Sequence, residues 1–505
     1  MLPTYATLSP AVEVVARRGP SLPITRAVPI AGIRAAVRCG AASIVAIVTI
    51  LAAALAGCVP PSQEVRAPVD QLVAEKLGAD RGPAALSPAQ LDALLARPID
   101  VATAVRIALA TSPRLRVAFD QLDIAAADVA AALGLGPVTV DAQLRFTGDH
   151  DEYEVDVIQG LLGLVTAPAR RAAARAELAA ARSAAAAAAL RLAARVEIGF
   201  DDLLAAQQVA ALRETAFDAA DAAATLRERM HAAGNTTDLA VARDRDAREQ
   251  ARLELARARA AVAARREAAA AAIGLSGPRT WSAAGELREL PPAPPALDAL
   301  EATAATASLE LAGGRDRRDA AEQRARDERL RSVLPELGVG VAVADDGTGR
   351  GVGPALRIGI PLLDPRSGPR ARAGALVRRA DHELEAQRIA LGAAARTARS
   401  AALATYQEAR HLRDVVLPLR QQIVSETLKH YNAMDADPFA LIAARQGQIE
   451  AAHQYIDAVR RYWNAMAEVT ALSRGAMLEP SRGADGQDPE RSSMSDGPNN
   501  PENPR

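Results

Sequence analysis

Aromatic residues make up 3% of this 505-residue chain, and cysteine occurs twice. A packed enzyme core of this size needs more large side chains than that. The formal net charge of -1 removes the electrostatic case for nucleic-acid binding. No G-x-x-x-x-G-K-S/T loop is present, so the usual means of holding ATP is missing. Gly274-Leu275-Ser276-Gly277 lacks the spacing of a nucleophile elbow and ends a helix instead of following a strand. His150, His231, His382, His411, His430 and His453 show no paired i, i+4 spacing of metal ligands. Met434 and Met466 read as packing residues, not soft metal contacts. These absences predict a protein that is not an enzyme, with no cofactor and no metal site.

Alanine is what the chain has in abundance. Half the residues are apolar, and much of that share is alanine interspersed with Arg, Glu and Asp. Such a composition suits long, closely packed helices.

The N-terminus has its own pattern. Arg34 and Arg38 precede an apolar run, residues 41–57, that ends in Leu55-Ala56-Gly57-Cys58. The run is nearly long enough to anchor the chain as a transmembrane helix. Small residues directly before a lone cysteine favour a different reading, because they resemble the lipobox of bacterial lipoproteins. By that resemblance residues 1–57 are a signal peptide, Cys58 is the lipidated first residue, and Cys39 is lost with the signal. Val59 in the next position, with no Asp there, points by similarity to the outer membrane. Residues 58–98 carry several prolines and read as an extended tether.

From Ile99 the periodicity is helical, with Asp100 placed to cap VATAVRIALA and Pro113 interrupting it. After Gly134-Leu135-Gly136-Pro137 the period changes. Val138, Val140, Ala142, Leu144 and Phe146 alternate strictly with polar residues, which predicts a strand with one apolar and one wet face. A polar loop and a second, weaker alternating stretch from Tyr153 to Val165 complete a hairpin. Pro168 marks the next change. Residues 169–233 lack strand or turn signals, and one helix over them would extend about 95–100 Å. Only a coiled-coil arrangement buries the face of such a helix. Gly234-Asn235 breaks it, and Thr236 or Thr237 caps a return helix to about Ile273.

The plan then repeats. A Pro-rich linker, 275–297, leads to a helix over about 298–332 and to two alternating stretches, Leu337–Val343 and Leu356–Ile360. Pro369 opens a second long helix, a break falls at Met434–Pro438, and Gly475 ends the copy. These landmarks follow their first-half counterparts by about 200 residues. The organisation is therefore a repeat at 99–274, a second at 298–475, and a disordered tail over 476–505.

Helix, strand, loop, strand, long helix, tip and helix, duplicated behind a lipoprotein signal, resemble the TolC family of outer-membrane factors. AVRIALATSPRLRVAFDQLDIAAADVAAA is similar to the family's first helix, with Ser112-Pro113 where Asn-Pro is common. LRIGIPLLDPRSGPRARAGAL is similar to its fourth strand and exit, with Pro365 and Ser367 replacing part of a glycine pair. The resemblance implies a mainly α fold with a small β part, in which each protomer adds four strands to a twelve-stranded trimeric β-barrel above a coiled-coil α-barrel. It implies an outer-membrane channel of a tripartite efflux or secretion system, a passive conduit for small molecules or metal ions. The implied partners are two further copies, a periplasmic adaptor (membrane fusion protein), an inner-membrane pump and outer-membrane lipid, with no nucleic acid. Adaptor docking would fall on the helical tips, Gly234, Asn235, Thr236, Thr237 and Leu239 in the first half, with Leu239 and Val241 packing the returning helix. In the second half the tip is Met434, Asp435, Ala436, Asp437, Pro438 and Phe439, with Met434 where glycine is common. YNAM followed by RRYWNAMAEV also resembles a subgroup associated with heavy-metal resistance. The competing reading is a non-channel periplasmic coiled-coil lipoprotein, either adaptor or structural. It lacks a use for four alternating strands.

Overall fold

A computed structural model describes residues 62–78, 81–82, 86–134, 138–147, 150–275, 277, 279–345, 349–359 and 367–478. The signal segment, Cys58, the strand exit 360–364 and the tail from Glu479 lie outside them. Helices α1 (Ser62–Leu77) and α2 (Pro88–Leu95) come first. They are followed by α3 (Val101–Thr111), α4 (Pro113–Leu133), β1 (Val138–Thr147), β2 (His150–Gly160), α5 (Leu162–Ala232) and α6 (Asp238–Ile273). The same order recurs in α7 (Leu300–Ala307), α8 (Leu309–Val333), β3 (Glu336–Asp345), β4 (Arg350–Gly359), α9 (Ser367–His411), α10 (Leu417–Asn432) and α11 (Pro438–Arg474). A π turn, Leu412–Val416, joins α9 to α10. Pro418 just beyond it has no N–H to continue an α-helical ladder, and the wider turn accommodates that loss.

The expected tether is a correction. Within 58–98, Val65, Val69, Val73 and Leu77 form one buried stripe of α1, laid against α4 and α5. Arg66 holds the same contact from its rim, 2.7 Å from the Asp123 carboxylate and 5.1 Å from the Phe119 ring centre. Pro88 opens α2, where a missing N–H costs nothing, and Ser87 and Gln90 cap each other's backbone reciprocally. Of the described prolines in this segment, Pro88 opens a helix and Pro68 lies inside α1.

The second alternating stretch also ends earlier than its sequence suggested. β2 stops at Gly160 and Leu162 already belongs to α5, so Pro168 lies inside that helix. Proline removes one helical hydrogen bond there. The Arg170 guanidinium donates to the Gly163 carbonyl at 2.9 Å, one residue before the Leu164 carbonyl that loses its helical partner to Pro168. At 71 residues, α5 extends about 105 Å. It packs against α4, α6, α8 and α11, largely through buried alanines such as Ala180, Ala186, Ala187 and Ala193. α9 packs on α8 and α11, and α10 on α11.

Asp100 caps α3 as expected, its carboxylate accepting from the Thr103 N–H at 2.9 Å. The helix expected over 298–332 is broken at Ser308, as the first is at Ser112. Both breaks meet a glycine that ends a return helix in the left-handed conformation, Gly274 at φ +84 and Gly475 at φ +98. The fit at the second is tight, since a Cβ on Gly475 would stand 2.1 Å from the Ala307 carbonyl. Residues 275–297 are more than a linker. Ile99 pairs with Ala283, Trp281, Leu287 and Leu290 are buried, and Arg288 meets the buried Asp201 carboxylate at 2.7 Å. Burial pushes the Asp201 carboxyl up from its ordinary range, and Arg288 pulls against that shift. The Trp463 indole donates to the Arg288 carbonyl and the Tyr406 hydroxyl to that of Pro291, so this strap ties α5, α9 and α11 together.

The four strands form one antiparallel sheet in the order β1-β2-β3-β4. Register places Val140, Val157, Val341 and Pro354 in one row and Val339 beside Leu356 in the next. That face is exposed as well as apolar, with Leu356 66% and Val140 58% accessible. The opposite face carries Asp141 and Asp156 on β1 and β2, but only Gly340, Ala342, Gly353 and Ala355 on the facing rows of β3 and β4. Arg357 of β4 forms an ion pair with Asp141 of β1 across both intervening strands, so the sheet curls toward its polar face. Gly340 permits the curl, because a Cβ there would lie 2.0 Å from the Val157 carbonyl. Gly340→Val should therefore break the β2–β3 pairing and cut the yield of folded protein, read by size-exclusion chromatography. Gly353→Val, at a position where a Cβ meets no atom within 4 Å, should keep the wild-type yield.

Candidate functional site

Two turns carry the residues the sequence singled out. At the α5–α6 turn Gly234 adopts φ +75, a conformation that costs an L side chain about 1–2 kcal/mol. Its N–H donates to the His231 carbonyl and that of Asn235 to the Met230 carbonyl, both at 2.8 Å, which closes the last turn of α5. Thr237 caps α6 by accepting from the Ala240 N–H at 3.3 Å. Thr236 lies 3.5 Å from the Arg227 guanidinium. Val241 packs inward as expected, but Leu239 does not, being 61% exposed.

The α10–α11 turn uses the same geometry with different residues. Met434 takes φ +61, the one non-glycine with positive φ among the described residues, and its side chain is 96% exposed. The N–H groups of Met434 and Asp435 donate to the Tyr431 and His430 carbonyls at 3.0 and 2.9 Å. That of Ala436 also donates to the His430 carbonyl, at 3.2 Å. Asp437 caps α11 from in front of Pro438, accepting from the Phe439 N–H at 2.8 Å, and His430 pairs with the Asp435 carboxylate. Backbone geometry at the two turns is thus shared even where glycine is replaced.

A contact unforeseen in the sequence joins the turns. The Arg227 guanidinium lies 3.2 Å from the Phe439 ring centre and 2.6 Å from the Asp244 carboxylate. One arginine therefore ties the first hairpin to the second. Arg245 with Glu228, and His231 with Asp238, add pairs within the first hairpin. The signal was available, because these opposite charges lie at nearly mirrored distances on either side of the Gly234–Thr237 turn. Cys58 lies outside the described residues, and among those residues no group of three or more His, Cys, Asp or Glu is placed to hold a metal ion. Among them, too, no helix is long and apolar enough to cross a membrane.

No family model and no curated protein matches the sequence. Solved structures do. A membrane protein from Pseudomonas aeruginosa superposes with a TM-score of 0.63 at 16% identity, over 74% of this chain and 93% of that one. The outer membrane protein VceC of Vibrio cholerae gives 0.60 at 15% identity, over 74% and 96%. The open state of the MtrE outer membrane channel of Neisseria gonorrhoeae gives 0.56 at 16% identity, over 75% and 90%. The chain has the TolC-type fold.

In this TolC-type chain the paired tips and the curled sheet lie at opposite ends of α5. Met434 pays a backbone cost at its tip that glycine would not. Met434→Gly should raise stability by about 1 kcal/mol, read as a higher melting temperature of the helical signal in circular dichroism.

Proposed function

We propose that the protein is a passive export duct of the bacterial outer membrane, formed by three copies. The observation that carries the reading is the sheet. Its strands are 10 or 11 residues long, the length of a tilted transmembrane strand. They expose an apolar convex face, keep a polar concave one, and leave β1 and β4 as open edges. Four strands cannot enclose a bore, and a lipid environment does not tolerate unpaired edges. Pairing β4 of one copy with β1 of the next, three times over, removes every edge and turns the apolar faces to lipid.

The helices would continue the duct into the periplasm, with Cys58 lipidated at the membrane. A periplasmic adaptor, coupled to an inner-membrane pump, would engage the tips, where Leu239 and Met434 stand exposed. Transport would be driven by the pump and not catalysed by this chain. Separating the hairpins would require the Arg227–Phe439 contact to break. A non-channel coiled-coil lipoprotein accounts for the helices, but not for an exposed apolar sheet face.

Purified protein reconstituted in planar bilayers should show single-channel conductance, and Arg227→Ala should increase it several-fold. A protein that inserts no protease-protected β structure and passes no current would leave the non-channel reading in place. In cells, Cys58→Ala should abolish incorporation of labelled palmitate.

A further inference from the structure

The two helix breaks share a backbone but not a chemistry. At Ser308 the hydroxyl caps α8, accepting from the Leu311 N–H at 3.2 Å and donating to the Glu310 carboxylate at 3.3 Å. Glu310, in the second position of α8, offsets the positive end of its own helix. At Ser112 the hydroxyl makes no such bond, and no other partner is found for it among the described residues. Ser112 is nevertheless 4% exposed and lines a cavity of about 630 Å³. The second position of α4 holds Arg114, a cation where the helix already presents uncompensated N–H groups.

The same cavity is lined by Arg191 and Arg195 of α5. Arg191 is shared with Glu310 at 2.9 Å, whereas Arg114 and Arg195 have no ion-pair partner among the described residues. No acidic residue lines the cavity, and its floor is Leu115, Leu192 and alanines of α5 and α6. The polar side chains lining the space can all donate, the Ser112 hydroxyl and the guanidinium forks of Arg114, Arg191 and Arg195, and they stand beside the free N–H groups at the start of a 21-residue helix, a set suited to planar or tetrahedral oxyanions.

We propose that the cavity at the N-terminus of α4 binds a small organic oxyanion, a phosphate or carboxylate head at Ser112, Arg114 and Arg195 with its apolar body on Leu115 and Leu192. The volume falls within the range of small-molecule sites and exceeds what a bare inorganic ion fills. The inference stands apart from the duct reading, since it rests on one cavity within one chain.

Calorimetric titration of the full-length protein, in non-ionic detergent and phosphate-free buffer, tests it with hexyl phosphate as the probe. Saturable binding of one molecule per chain is expected, with inorganic phosphate competing more weakly. Arg195→Gln should weaken binding about tenfold, the loss of one charge-assisted contact. Arg114→Glu recreates the arrangement at Ser308, so it should abolish binding while leaving the melting temperature unchanged or higher. Ser308→Ala should leave the affinity unchanged. Dihexanoyl phosphatidic acid binding more tightly than hexyl phosphate would identify the head as a lipid's, and weaker binding a soluble anion's; either supports an oxyanion site. Absence of saturable binding, or full affinity in a folded Arg114→Glu, Arg195→Gln double variant, would overturn the proposal.

Discussion

The burial of α5 is the constraint that the rest of the chain answers to. A helix of 71 residues gains little from its own hydrogen bonds and needs neighbours along its whole length. Alanine is the side chain that permits this, because it lets neighbouring axes approach closely and loses no rotamer freedom on burial. Each alanine contact is small, so stability is spread along the helix, and α4, α6, α8 and α11 each cover part of it. Larger buried side chains of α5, Leu190, Val196, Phe200, Leu203 and Leu204, are gathered over residues 190–204, with Asp201 beside the strap at Arg288. There Asp201 is buried as well, and its pairing with Arg288 is what makes that burial tolerable.

The same constraint fixes how the helices end. α5 continues from β2 after a single residue, so the direction of the sheet and that of the helix are set together. Gly338 and Gly340 let β3 approach β2 closely, and the Arg357–Asp141 pair holds the two outer strands toward each other. Curvature thus comes from missing side chains on one face and is held by a charge pair over them. Such an arc leaves β1 and β4 as open edges, and it is on these edges that the proposed closure by further copies rests.

Much of this was legible in the sequence, for identifiable reasons. The strands were readable because a period of two is unambiguous over nine residues, and the tips because Gly234 and Thr237 carry strong local signals. Proline misled twice. Pro88 marked a helix start in a segment read as extended, and Pro168 was read as the start of a helix that in fact begins at Leu162. The break at Ser308 has no proline and was invisible, since it depends on Gly475 packing against Ala307 far along the chain. Leu239 was a packing residue by family resemblance, and it is exposed while Val241, two residues on, is buried. Arg227 was missed because cation–ring contacts between separate hairpins leave no spacing in the sequence.

The two halves satisfy their helix ends in different ways, and the physics of helix termini explains why. A residue on a buried face of α5 or α11 is held by neighbours on both sides, so few substitutions fit. A helix terminus has several ways to satisfy the same free groups: a side-chain cap, a left-handed residue, or a ligand. Gly234 and Met434 close the same turn at different backbone cost, and the difference leaves Met434 projecting into solvent. Glu310 and Arg114 occupy the same place after a buried serine with opposite charge, and only the first completes its own cap. Ends that satisfy themselves serve the scaffold. Ends that do not are where a chain built from two halves of the same order can assign the halves different work.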